Sequence, residues 1–162
     1  MFSIKNATPL DIPLIRDLTF RIWPQTYSSI LTQEQIDYML EMMYSESSLQ
    51  KQITEGCQFM IAYDDDKPVG FASIQEIQPK IFKLHKIYIL PSQQGKGTGR
   101  FVIDHILHEL KQKGASALQL QVNRYNKAKD FYVKLGFTVI EVKDFDIGKG
   151  YFMNDYVMQK VL

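Results

Sequence analysis

Gln94-Gly95-Lys96-Gly97-Thr98-Gly99-Arg100 sets three glycines and two cations between an apolar run, Ile87-Tyr88-Ile89-Leu90-Pro91, and an apolar-periodic segment, Phe101 to Leu110. That order reads as strand, loop, helix. The first turn of such a helix leaves its backbone N–H groups without intrahelical partners, and the helix dipole adds roughly half a positive charge there. Glycines remove the Cβ atoms that would block an anion, so a diphosphate fits against those amides. Lys96 and Arg100 add mobile positive charge beside the loop. A plain turn is the competing reading, and it leaves the two cations unexplained. Two common phosphate loops do not fit. The Walker pattern needs a Gly-Lys-Ser/Thr ending, which this chain lacks. The dinucleotide fingerprint fails because Arg100 stands where its third glycine belongs. An acidic residue about twenty positions later is also missing, since Leu118–Val122 offers only Leu, Gln and Val.

Other residues with reactive side chains mostly reduce to structural roles. His105 and His108 share a helix face with Asp104, Glu109 and Gln112, opposite the stripe Val102, Ile103, Ile106 and Leu110. A solvated face explains them, and no metal is expected. Cys57 opens a strand with no evident histidine partner, so a thiol nucleophile is not expected. Met39, Met42 and Met43 read as core and groove lining, and Asp64-Asp65-Asp66 as a solvated hairpin tip.

The run Leu84-His85-Lys86-Ile87-Tyr88-Ile89-Leu90-Pro91-Ser92-Gln93-Gln94-Gly95-Lys96-Gly97-Thr98-Gly99 resembles the acetyl-CoA motif of the GNAT superfamily of N-acetyltransferases. In that motif a strand leads into Gln/Arg-x-x-Gly-x-Gly/Ala, and Gln94, Gly97 and Gly99 fill the key places. A second block, Val122 to Phe137, resembles the family's Asn-x-x-Ala-x-x-Phe-Tyr-x-x-x-Gly-Phe signature through Asn126, Ala128, Phe131, Tyr132, Gly136 and Phe137. The two motifs cover roughly residues 82–138. The resemblance implies acetyl transfer from acetyl-CoA to a primary amine of a small molecule or peptide, by direct attack. It implies that backbone groups of Ile87, Tyr88 and Ile89 hold the pantetheine and the acetyl carbonyl. Gln94, Gly95, Lys96, Gly97, Thr98, Gly99 and Arg100 would cradle the diphosphate, with Asn126 and Lys129 beside the CoA arm. Asn126 reads equally well as a helix N-cap.

By the same resemblance Tyr132 is the general acid, a phenol of reference pKa about 10 that stays protonated at neutral pH. It reads otherwise as one of a core aromatic pair with Phe131. The base departs from the family pattern, because Lys83 stands where many relatives carry glutamate. Glu76, His85 with its reference pKa of about 6.5, and a water chain are the substitutes. Arg21, Trp23, Tyr27, Tyr38 and the Phe145–Asn154 segment would line the acceptor site. The C-terminal run Phe145-Asp146-Ile147-Gly148 and Asn154 to Met158 loosely resembles bacterial spermidine/spermine N-acetyltransferases. Glu34, Asp37 and Glu41 could meet a polyamine's ammonium groups, or form the wet side of a helix. A binding module that holds acyl-CoA without turnover is the alternative of another class. A homodimer fits what is common in the superfamily.

These residues must be positioned by an ordered set of elements. Phe2–Asn6 reads as a strand, and Thr8 as an N-cap with Pro9 at the first helical position. Leu10, Leu14, Ile15, Leu18 and Ile22 then mark a helix that ends before Trp23-Pro24. A second helix opens at Thr32 with Gln35 three residues on, and a third spans Ser47–Glu55, stopping at Gly56. Strands Gln58–Tyr63 and Val69–Ile77 flank the turn Asp64–Pro68, and Ile81–Leu90 leads into the glycine loop. The long helix ends at Gly114. Ala117–Val122, a helix over Lys127–Leu135, and strands Thr138–Asp146 and Phe152–Val161 complete the chain. The fold class is therefore α/β (mixed α+β): a GNAT-like, central, mostly antiparallel sheet of about seven strands flanked by helices on both faces.

Composition agrees with an ordinary globular domain. The 162 residues read as one domain, 1–162, with 45% hydrophobic and 23% charged residues. A net charge of +1 gives no footprint for nucleic acid. No run approaches the roughly eighteen apolar residues of a membrane span. The N-terminus lacks a signal-peptide layout, and a single cysteine fits a reducing cytoplasm.

Overall fold

Strand β1 (Phe2–Asn6) hands the chain to Thr8, whose hydroxyl accepts from the Leu10 amide while its own amide donates to Asp11 Oδ2. This cap closes a single 3₁₀ turn, Pro9–Asp11, which leads into helix α1 (Ile12–Tyr27) in the computed structural model, where residues 1–162 are all described. The helix does not stop before Trp23-Pro24 as its sequence predicts; it runs one turn further, through Pro24. A proline inside a helix costs about 3 kcal/mol through a lost hydrogen bond and a clash. Here the extra turn buries Trp23 to 1% exposure and stacks it on Tyr27 (4.5 Å), Tyr44 (5.5 Å) and Tyr88 (5.7 Å). Burying so much aromatic surface offsets the proline penalty.

Helix α2 (Gln33–Tyr44) is capped by Thr32, whose hydroxyl accepts from the Gln35 amide at 3.1 Å. Its stripe Ile36, Met39 and Leu40 is buried, as the spacing requires. Helix α3 (Glu46–Thr54) follows from a Ser45 cap and stops at Gly56, where φ is +104°. Strands β2 (Gln58–Asp64) and β3 (Lys67–Gln78) meet at a turn of only Asp65-Asp66, tighter than the five-residue turn expected from sequence. Pro68 is accommodated inside β3 because it sits beside a bulge in the β2 ladder.

The remaining elements are β4 (Ile81–Ile89), α4 (Thr98–Gln112), β5 (Ala117–Asn123), α5 (Ala128–Lys134), β6 (Thr138–Gly148) and β7 (Tyr151–Val161). Their sheet runs β1-β2-β3-β4-β5-β7-β6, antiparallel throughout except for β4 beside β5. Cross-strand partners Ile61, Phe71 and Tyr88 share the face covered by α1 and α2. The opposite face carries Phe2, whose ring packs on Phe101 of α4 at 5.5 Å. Helices thus cover both faces.

The one parallel junction is short. Strand β4 pairs with β5 only over Ile81–Leu84 against Ala117–Leu120, after which the two strands part. A bulge in β4 at His85 marks the point of divergence. Beyond it, Lys86 to Ile89 have a strand neighbour on the β3 side alone.

Candidate active site

Where β4 and β5 separate, the sheet opens a cavity of about 350 Å³. Its walls come from α1 and α2 (Trp23, Tyr27, Met39, Tyr44), from β4 (Lys83 to Ile89), from β5 (Leu120 to Asn123), from α5 (Tyr132) and from β7 (Met153, Asp155). The backbone of Ile87, Tyr88 and Ile89 therefore borders an opening, with the edge toward β5 unpaired by any strand. Such an edge offers N–H and C=O groups to an extended amide-bearing ligand.

The glycine loop lies just past that edge. Gly95 and Gly97 have φ of +82° and +81°, and a Cβ built on either meets nothing within 4 Å. Gly97 is the N-cap of α4, so the amides of Thr98, Gly99 and Arg100 have no partners within the helix. Thr98 and Gln93 are both buried, and the Thr98 hydroxyl donates to Gln93 Oε1 at 3.0 Å, locking the loop to the helix start. Gln94, Lys96 and Arg100 point outward, with Arg100 only loosely paired to Asp104 at 3.7 Å. This is open, cationic and lined with free amides, a surface that fits a diphosphate.

Tyr132 is 7% exposed and lines the cavity. Burial, helped by the charge of Tyr27, pushes its hydroxyl far above the usual phenol value, so it stays protonated at neutral pH. Asn126 lines the cavity as well, and its Oδ1 accepts from the Ala128 amide at 2.9 Å. It precedes Ala128 by two positions, one fewer than the family signature has. Lys129 does not line the cavity; its Nζ lies 4.5 Å from the centre of the Tyr156 ring.

The base candidates separate clearly. Glu76 is exposed on β3, opposite Phe82, and is not among the cavity walls. His85 is in the wall, with Nε2 2.9 Å from Gln75 Oε1. Burial first, then Lys83 and Lys86, push its pKa down to about 4, so it is neutral at pH 7 and a weak proton acceptor. Lys83 donates to Gln121 Oε1, and Gln121 Nε2 donates to Asp155 Oδ2 at 3.2 Å. Asp155 is 3% exposed. The segment expected to line the acceptor site, Phe145–Asn154, ends one residue short of it. A carboxylate in alternating phase with Met153 and Val157 was the available signal.

Of the residues expected around the acceptor, Trp23 and Tyr27 are in the wall, and the hydroxyls of Tyr27 and Tyr88 are hydrogen-bonded. Arg21 is outside, paired with Asp17. Tyr38 is outside too: its hydroxyl donates to the Ile147 carbonyl and pins the β6–β7 hairpin to α2. Gln35 adds a second tie, donating to the Phe152 carbonyl at 3.2 Å. Glu34, Asp37 and Glu41 are exposed on the far side of α2 and do not line the cavity.

Residues 28–152 match the family described as the acetyltransferase (GNAT) domain, and the chain belongs to that family. It is similar to the ribosomal protein bS18-alanine N-acetyltransferase of Haemophilus influenzae, 32% identical over 49% of this chain and 54% of that protein. An uncharacterized N-acetyltransferase of Lactobacillus delbrueckii is 24% identical over 99% of this chain and 97% of its own length. The chain spans about half the length of the curated relatives it matches at the higher identities. Among solved structures, the PaiA N-acetyltransferase of Thermoplasma acidophilum in complex with coenzyme A superposes with a TM-score of 0.83 at 24% identity, over 100% of this chain and 99% of that one. That likeness establishes the GNAT fold. No helix here is long and apolar enough to cross a membrane.

Proposed function

We propose that residues 1–162 form one catalytic domain that moves the acetyl group of acetyl-CoA to a primary amine held in the cavity between α1, α2 and β7. The observation that carries this reading is the continuity of the free-amide loop at Gly95–Arg100, the unpaired edge of β4 and the cavity floor at Tyr132. A diphosphate-pantetheine-thioester chain needs those three environments in that order. Acetyl-CoA supplies the activated acyl group. The protein's residues do the rest: loop amides with Lys96 and Arg100 hold the diphosphate, and β4 backbone groups pair with the pantetheine. A β4 amide donates to the carbonyl oxygen as charge develops on it, and Tyr132 protonates the departing sulfur.

Support for a polyamine acceptor is weaker than the sequence suggests. The row Glu34, Asp37 and Glu41 faces solvent, while Lys83 and Lys86 are in the cavity wall. The half-buried free thiol of Cys57 fits the proposed cytoplasmic location. Exposed Val139, Ile140 and Val142 on the edge strand β6 support a homodimer through that edge.

The test is competition binding of CoA against ATP and NAD, followed by thiol release from acetyl-CoA over a panel of amines. Selective CoA affinity with amine-dependent release is expected. Tight CoA binding with no release on any amine would instead favour a module that only holds acyl-CoA.

A further inference from the structure

Asp155 is the one carboxylate among the residues lining the cavity. It lies on β7 with Asn123 of β5 opposite on one side and Lys143 of β6 on the other. Gln121 occupies its Oδ2, and Gln121 is itself oriented by Lys83, so the chain of donors runs Lys83 to Gln121 to Asp155. No side chain donates to Oδ1, and Asp155 belongs to none of the protein's ion pairs. Arg124, whose charge acts on Asp155, is committed to Asp144 of β6 at 2.6 Å. A carboxylate this deep with a free oxygen calls for a cationic or donating ligand.

The groups around it point the same way. Burial raises the Asp155 carboxyl, while Gln121, Arg124 and Lys83 oppose that rise and Asp144 adds to it. From α1, Tyr27 feels the Asp155 charge, and Tyr27 in turn acts on Tyr132. Asp155, Tyr27 and Tyr132 all line the one cavity. Much of the cavity wall is apolar: Trp23, Leu31, Met39, Met43, Phe152 and Met153. Lys83 and Lys86 are the cavity's cations, and they would repel a second ammonium.

We infer that Asp155 Oδ1 binds the ammonium of the acceptor and accepts its proton, and that the acceptor is a primary amine carrying one positive charge on an apolar body. This rests on the acetyltransferase reading above. The ammonium gives one proton to Asp155, and the nitrogen lone pair forms a bond to the acetyl carbon. The carbon–sulfur bond breaks, the sulfur leaves with its electron pair, and it takes the Tyr132 hydroxyl proton. The nitrogen's second proton restores Tyr132, and Asp155 passes its own to water. The products are an amide, a thiol and one proton.

The test uses the full chain, thiol release, and 2-phenylethylamine and spermidine as probe acceptors. Asp155→Asn is expected to lose about a hundredfold or more in kcat/KM for 2-phenylethylamine while keeping CoA affinity. The loss should shrink as pH rises toward the amine's own pKa, where the amine arrives already deprotonated. Asp155→Glu should recover part of the rate. A pH-independent loss, or wild-type kcat/KM in Asp155→Asn, overturns the assignment. Preference of the wild type for spermidine, or CoA binding without release from either amine, overturns the acceptor class. Absence of CoA affinity in the wild type would sink the acetyltransferase reading instead.

Discussion

The hydroxyls of Tyr27 and Tyr88 lie 3.0 Å apart, tying the last turn of α1 to the stretch of β4 that has no neighbour on the β5 side. Both rings stack on Trp23, and burial pushes the Tyr27 phenol up to about 12. Neither side chain is a proton carrier at neutral pH. Their contact fixes how far α1 stands from β4, which sets the depth of the cavity. Tyr27→Phe leaves the part-buried Tyr88 hydroxyl without its partner, a loss of about 1 kcal/mol. Chemical denaturation should show that drop, and the KM for the amine should rise more than that for acetyl-CoA. An unchanged denaturation midpoint would mean that water satisfies Tyr88.

Tyr132→Phe removes the donor and leaves the ring that packs against Phe137 at 5.8 Å. Turnover should fall by about 10²–10⁴-fold, with CoA affinity within a factor of two or so of wild type. Single-turnover thiol release and CoA titration together check this. Equal losses in both would make Tyr132 a packing residue.

Two glycines near the cofactor path should respond for different reasons. Gly97→Ala meets no atom, so its effect comes from a left-handed φ, about 1–2 kcal/mol, and from intrusion on the loop's ligand. Gly70→Ala has no ligand nearby. Its Cβ would lie 2.6 Å from both the Tyr88 carbonyl oxygen and Ile89 Cδ1, so β4 must move. Destabilisation of about 1–3 kcal/mol is expected, as for other overpacked interiors. CoA affinity should drop too, since the displaced segment is the one proposed to hold pantetheine. Calorimetric titration with CoA distinguishes the pair: salt should modulate the Gly97 defect far more than the Gly70 defect.

The element order was legible in the chain because caps, glycines and apolar spacing are local signals. Thr32 starts a helix through its hydroxyl, and Gly56 and Gly136 stop helices through left-handed backbones. What was not legible came from distant packing. Pro24 reads as a terminator until Trp23 is seen against Tyr44 and Tyr88. The divergence of β4 from β5 after Leu84 leaves no mark in either strand's composition. Asp155 looks like any polar residue of a half-exposed strand until β5 brings Gln121 beside it. Glu76 was attractive by proximity in sequence to β4, and strand direction carries it away from the cavity. Local signals named the glycine loop proposed to hold the cofactor; the proposed acceptor side depended on tertiary neighbours.

Lys86 offers a test of that buried acceptor side that needs no substrate. It is 9% exposed, lies 4.8 Å from the Tyr44 ring centre and has no carboxylate partner. Burial first, with Lys83 adding, lowers its pKa from 10.5 to about 8. Between those values the unfolded chain holds a proton that the folded chain has released, so stability rises with pH across that window. Below about 8 the fold must keep a desolvated ammonium, a penalty on the order of 3 kcal/mol by linkage. Lys86→Met keeps the aliphatic stem and removes the charge. The variant should be the more stable protein at pH 7 and should lose that advantage progressively as pH climbs from 8 toward 10.5. Urea midpoints measured at matched ionic strength across that range give the comparison, and the difference between the two proteins cancels the titration of Tyr27, which does not feel the Lys86 charge. A stability gap that stays flat with pH would place the Lys86 ammonium in contact with water or an anion in solution, and the cavity's inner wall would then be wetter than its geometry indicates.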